Sequence, residues 1–264
     1  MNNNYLRLFL TSVLFCLLYL FAFSQSNKNI SEYKILEQLQ TDTFYSSSEF
    51  DQEINYLIVE IKRPVFLSKD TSQILFVNNT IKRITDRDLI GYLEFSKGDS
   101  IEGYPEEYSV TYLILNKSKK FLSIVFNIYE SAGGSGNGYS SSFYPVTFDL
   151  IKKKTLGIGD IIDSVFYKQF DSLVSVKIKN LVYEDAIKDG FTDNYEYIEA
   201  KKQQLIDNWT EAFKTKMKSL ALSDKNILLY INFGESHYSY DEEIKIPINE
   251  CLPYLSKDFV EFIK

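Results

Sequence analysis

The sequence predicts an α+β protein in which an antiparallel β-meander sheet packs helices on one face. The first observation is period-two alternation. In "FLSIVFNIY", Leu122, Ile124, Phe126 and Ile128 alternate with Ser123, Val125 and Asn127. In "FYPVTFDL", Tyr144, Val146, Phe148 and Leu150 fall on one side. The second is the short turn "NKSKK", which joins "YSVTYLIL" to "FLSIVFNIY" and so makes neighbouring arms antiparallel. The third is a change to helical spacing from Asp163 onward, where Phe166, Phe170, Leu173, Val174, Ile178 and Leu181 share a face and Asp163 can cap.

The chain has 264 residues, of which 45% are hydrophobic and 16% aromatic, enough apolar mass for a packed core and too much for a disordered chain. Its N-terminus reads as an export leader. Leu8 to Phe23 is apolar apart from Thr11 and Ser12, and Ala22 and Ser24 supply small residues before a cut ahead of Gln25. The predicted signal peptide is therefore residues 1–24, and the mature protein is periplasmic or extracellular. The alternative is an uncleaved anchor over residues 8–23, the one route by which this chain would hold a membrane. A polar lead-in is expected over 25–49, a strand–helix segment over 50–107, and the main domain over 108–264, all in one compact body.

Within 50–107, "EINYLIVEIKRPVF" reads as a buried strand stopped by Pro64. Ser68 is a plausible N-cap for a helix to Asp86, on which Ile74, Val77, Ile81 and Ile84 form an apolar stripe. After the meander and the helix from Asp163, residues 183–208 are acidic and then helical, with Tyr197, Ile198, Leu205 and Trp209 as the apolar positions. "ILLYINF" and "EEIKIPI" are two further strands, and Pro247 belongs on an edge or at a strand end. "GESHYSYD" connects them, and Asn249 can cap a last helical stretch.

Several chemistries are disfavoured. The formal net charge is −7, and losing Arg7 with the leader makes it more negative, which argues against nucleic acid. Beyond the leader the chain keeps one cysteine, Cys251, and one histidine, His237, so neither a disulfide framework nor a zinc cluster is expected. Cys251 reads as a small buried hydrophobe. Asp241, Glu242 and Glu243 form a charge run without EF-hand spacing, so no metal site and no cofactor is assigned. No catalytic residue is assigned either. Ser135 has Gly133 two residues before it but Asn137 two after it, which breaks the nucleophile-elbow pattern. The loop "AGGSGNG" leads into a strand with no lysine after it, unlike a phosphate cradle.

Two loops remain. One contains Gly133, Gly134, Ser135, Gly136 and Asn137 and ends at Tyr139; the other contains Glu235, His237, Tyr238 and Tyr240. Each is either a plain connection or a partner-binding loop held on a rigid sheet.

The second half of the chain resembles a known family. Its order is "LSIVFNIYESAGGSGNGYSSSFYPVTFDL", "GIGDII", an amphipathic helix, and "ILLYINFGESHYSYDEEIKIPINECLPYL". This is similar to the extracellular domain of unknown function carried by the lysozyme-sensing anti-sigma factor RsiV and by some peptidoglycan deacetylases. The likeness runs from about Tyr108 to Leu255. It departs at "IKKKTLGIGDII", which has lysines at the turn, and at "GESHYSYDEE", so partner contacts made there do not carry over. With no sigma-binding region before Leu8 and no deacetylase domain, the chain reads as neither of those proteins. The resemblance implies an exported cell-envelope recognition module for an envelope protein, such as a lysozyme-like one, or for a glycan such as peptidoglycan. The alternatives are a carboxylate-based cell-wall hydrolase and an envelope scaffold protein.

Overall fold

A computed structural model describes residues 33–47, 54–68, 71–96, 106–118, 120–131, 139–214, 220–235 and 238–263. The expected leader lies outside these. No helix among the described residues is long and apolar enough to cross a membrane.

The α+β class and the meander are as expected. Strands β3 (Glu106–Lys117), β4 (Phe121–Ser131) and β5 (Tyr139–Asp149) run antiparallel, with Phe126 opposite Tyr112 and Tyr144. The sheet is larger than this and is mixed. Strands β1 (Tyr33–Ser47) and β2 (Ile54–Ser68) extend it beyond β3, and β2 pairs with β3 in parallel. On the other side come β9 (Tyr238–Pro247), β8 (Asn226–Glu235) and the two-residue β7 (Ala221–Leu222). The two-residue β6 (Lys154–Thr155) pairs with β5.

The segment expected to be a loose lead-in is largely strand β1. It carries Glu37, Gln38, Gln40 and Asp42, so its own pattern is polar, and its pairing with β2 holds it. Pro64 does not stop β2. The ladder with β3 ends at Ile61, which leaves that side of β2 without a strand. There the Asn78 side-chain amide bonds both the Phe66 N–H and the Phe66 carbonyl, each at 2.9 Å. Pro64 lies two residues before Phe66, so its missing N–H falls on the same unladdered side.

Helix α1 (Thr71–Ser96) starts after Ser68, which belongs to β2, and α1 runs past Asp86. Its Ile74, Val77 and Ile81 are buried against Phe126, Ile124 and Phe148. Each such side chain contributes about 1.5–3 kcal/mol on burial. After the short helix α2 (Ile158–Ile161), Asp163 caps a 3-10 turn by accepting the Val165 N–H at 3.1 Å. Helix α3 (Tyr167–Asp189) follows and ends at Gly190, whose φ of 74° is the left-handed conformation that a helix stop favours in glycine. Helix α4 (Tyr195–Lys214) returns along it. Pro247, not Asn249, precedes the short helix α5 (Ile248–Cys251), and helix α6 (Lys257–Ile263) closes the described chain.

The helices do not share one face. Ile227, Leu229 and Ile231 of β8 pack with α3 and α4, whereas α1 packs on β2–β5. Residues that alternate with these, Val125 and Phe143 on one side and Leu228 and Tyr230 on the other, meet in a third cluster. The sheet therefore forks after its three β5–β9 pairs, its two branches stack, and the layers run α1, β1–β5, β7–β9, then α3 with α4. Ser123 and Val125, placed on the outer side by alternation alone, are buried because the second half of the sheet covers them.

Candidate functional site

Strands β5 and β9 pair in parallel over three residues only: Tyr139 with Tyr238, Ser140 with Ser239, and Ser141 with Tyr240. Each of these strands begins where a hairpin turns. The β4–β5 and β8–β9 hairpins are thus set side by side at one end of the sheet. The "GESHYSYD" connection is mostly strand: Glu235 closes β8 and Tyr238 opens β9, paired with each other.

Of the residues singled out by sequence, Tyr139, Glu235, Tyr238 and Tyr240 stand together at this rim, the first three placed by their backbone pairing. Gly133, Gly134, Ser135, Gly136, Asn137 and His237 lie outside the described residues.

Helix α4 holds the rim from behind. Gln204 donates to the Gly234 carbonyl at 2.9 Å and Asn208 to the Asn232 carbonyl at 2.7 Å. About one turn before Gln204 on the same helix, Lys201 is buried. Its Nζ is 3.1 Å from an Asp185 oxygen and 2.5 Å from a Glu242 oxygen. The same ammonium lies 5.4 Å from the centre of the Phe233 ring and 5.9 Å from that of Tyr240. Those two rings meet nearly edge-to-face, 5.4 Å apart. Burial works to lower the Lys201 pKa, but the hydrogen bond and charge of Glu242, with Asp185, outweigh it and raise it. The lysine is a fixed cation and no base. Burial pushes the Tyr240 phenol up to about 12, with Lys201 opposing, so the ring presents a neutral hydroxyl.

Asp241 faces the opposite way. Its carboxylate accepts the Phe143 N–H at 2.6 Å and the Asn232 amide at 3.2 Å, one step past the point where β5 and β9 part. Burial raises its pKa, with the Phe143 and Asn232 bonds pulling the other way. Glu243 accepts the Tyr230 hydroxyl at 2.5 Å. The three acidic residues 241–243 therefore point to different structural partners and do not converge on one point. Among the described residues no cluster of three His, Cys, Asp or Glu side chains forms a metal site. Cys251 is buried, as expected, and burial pushes its thiol up to about 12, far from a nucleophile's range.

Lys201 was the residue hidden from sequence. It occupies the inward stripe Ile198, Lys201, Leu205 and Trp209, all buried, at spacings of three and four. A lysine inside an apolar stripe is the signal that could have exposed it.

No family model and no curated protein sequence matches the chain. Among solved structures, it is similar to a DUF3298 family member from Bacteroides fragilis, at 16% identity and a TM-score of 0.51, over 90% of this chain and 99% of that one. It is similar also to a DUF3298 family protein from Pseudomonas aeruginosa, at 11% identity and a TM-score of 0.50, over 84% of this chain and 95% of that one. At these identities the likeness speaks for the fold alone, and that fold is the one found in DUF3298 proteins, the family of the RsiV-related domain.

Proposed function

We propose that the protein is an exported cell-envelope recognition module that grips a protein or glycan partner at the paired hairpin ends. The observation that supports this reading is the pairing of Tyr139 with Tyr238, which brings the starts of strands β5 and β9, from distant parts of the chain, onto one rim. Tyr240, braced by Phe233 and Lys201, supplies a preset aromatic surface beside it. Binding is by shape, ring faces and polar loop groups, because the nearby carboxylates are engaged in structural bonds. The leader-like residues 1–24 support export, and the RsiV-like motifs favour a lysozyme-like protein or peptidoglycan as partner.

The test uses the mature chain immobilised and exposed to lysozyme, to sonicated peptidoglycan and to envelope extract. Deleting Gly133 to Gly138, or replacing Tyr240 by Ala, should reduce capture at least tenfold while far-ultraviolet circular dichroism stays unchanged. Capture that survives both changes sinks the assignment of the site. Release of soluble fragments from peptidoglycan, lost on neutralising one carboxylate, moves the protein to the hydrolase class.

A further inference from the structure

Among the described residues β9 has an open edge, separate from the hairpin ends. β5 leaves β9 after Ser141 and Tyr240, and the Asp241 carboxylate fills the fork by taking the Phe143 N–H. Beyond that point β9 pairs, among the described residues, with β8 only.

The direction of its backbone groups follows from one bond. The Ile248 N–H donates to the Lys225 carbonyl at 2.8 Å, so even-numbered positions address β8. Buried Ile246 and Ile244 fall in the same set, as they must to satisfy their amides. Alternation then aims the N–H and C=O groups of Glu243 and Lys245 away from β8. Pro247 is in this outward set, where its lack of an N–H costs no ladder bond.

A groove of about 380 Å³ runs along this edge, within the usual size range of ligand sites. One wall is α3, with Lys177, Leu181 and Glu184; the other is β9, with Glu243, Ile244 and Lys245. Glu243 and Lys245 belong to one face of the strand and Ile244 to the other. Both faces line a single groove only where a strand has an open edge. The comparable side of β2 is closed by Asn78 bonding Phe66. On α3 the exposed Asn180 side chain borders the groove at β9, and among the described contacts no bond from it to that strand closes the edge.

We propose that this edge accepts an extended basic peptide segment of a partner protein as an added strand. Backbone pairing at Glu243 and Lys245 would supply the hydrogen bonds, and the groove between strand and helix would fix the position. The charge balance selects a basic segment. Lys177 is paired with Glu250 and Lys245 with Glu243, each at 2.9 Å, while Glu184 is exposed without an ion pair among the described contacts. A lysine or arginine on the added strand answers that carboxylate.

The probe is a fluorescein-labelled, end-capped heptapeptide of alternating threonine and valine with a central lysine. A glycine–serine peptide of equal length and charge is the control. With the full mature chain, the probe should bind below 1 mM and the control at least tenfold more weakly. Amide exchange at Glu243 and Lys245 should slow at least tenfold on saturation, whereas Ile244 and Ile246 are protected already. K245P should weaken the probe at least tenfold, K245A less than threefold, and E184Q should weaken it and flatten its salt dependence. No binding at 1 mM, unchanged exchange at Glu243 and Lys245, or equal binding by K245P overturns the proposal. So does a dimer, seen by sedimentation, that K245P abolishes, because a second copy would then own the edge. If K245P fails to fold, the exchange data and E184Q decide. Loss of capture in the hairpin-deleted chain with retained probe binding keeps this site apart from the one proposed above.

Discussion

The hydroxyls of Ser123 and Thr147 lie 3.0 Å apart on neighbouring strands, both fully buried between the two halves of the sheet. Thr147 donates its single proton to the Leu220 carbonyl at 3.1 Å, so Ser123 is the donor to Thr147. Ser123 in turn accepts the Leu222 N–H at 2.7 Å. Two side chains from β4 and β5 thus complete the backbone hydrogen bonding of the segment around β7.

This chain orders two substitutions. Ser123→Ala strands the Leu222 N–H without an acceptor and should cost about 1–3 kcal/mol. Thr147→Val leaves the Leu222 N–H paired; it deprives the Leu220 carbonyl, a group that tolerates loss better than an N–H, and takes the acceptor from the Ser123 hydroxyl, which can rotate, so it should cost less. Urea unfolding followed by Trp209, the one tryptophan of the chain, measures both. Equal or reversed costs would show that the hydroxyls are not wired in this direction.

Lys201 should be the most sensitive charged residue of the second half. Lys201→Met leaves Glu242, only 15% exposed, and Asp185 without their cation. The expected cost is about 3 kcal/mol. Adding Glu242→Gln to the same chain should restore part of it. Because the lysine pKa is raised in the folded state, its contribution is fully present below its ordinary value of 10.5 and is lost only as the pH rises beyond that. The gap between wild type and variant should therefore stay constant from pH 6 to 9 in thermal melts.

Asp241 carries the opposite sign. Its folded-state pKa is raised above the ordinary 3.8, so its favourable contribution belongs to the protonated form and fades as the pH climbs through the folded value. Asp241→Asn keeps an acceptor for the Phe143 N–H and removes the ionisation. Its Tm should equal or exceed that of wild type at pH 7, with the difference shrinking or reversing toward pH 4. Asp241→Ala removes the acceptor and should lose about 1–3 kcal/mol at both pH values. A Tm for Asp241→Asn as low as that of Asp241→Ala would refute the account.

What the sequence made legible was whatever depends on near neighbours. The alternation around Ile124 and Phe148 fixed strands β4 and β5, the stripe of Ile74, Val77 and Ile81 fixed α1, and Asp163 marked the start of the turn before α3. Pro247 fell at an edge position, as its chemistry demands. What stayed hidden depends on distant partners. Ser123 looked solvent-facing because the residues that cover it lie some hundred positions later. Strand β1 looked unstructured because its polar side chains carry no pattern and its order comes from β2. Lys201 was passed over between Ile198 and Leu205, because Asp185, Glu242 and two rings converge on it only in the fold. For Tyr139, Glu235, Tyr238 and Tyr240, sequence supplied the names but not the adjacency, which is a property of the β5–β9 and β8–β9 registers.

That register has a consequence for how the chain reaches its native state. The β4–β5 and β8–β9 hairpins each close over short stretches, whereas Tyr139 meets Tyr238 across nearly a hundred intervening residues. Long-range pairing is entropically late, since every local contact can form before the distant strand arrives. The seam joining the two halves is therefore expected to close after the hairpins, and until it does only the packing of Val125 against Leu228 and the Ser123 and Thr147 bonds can hold the halves in line.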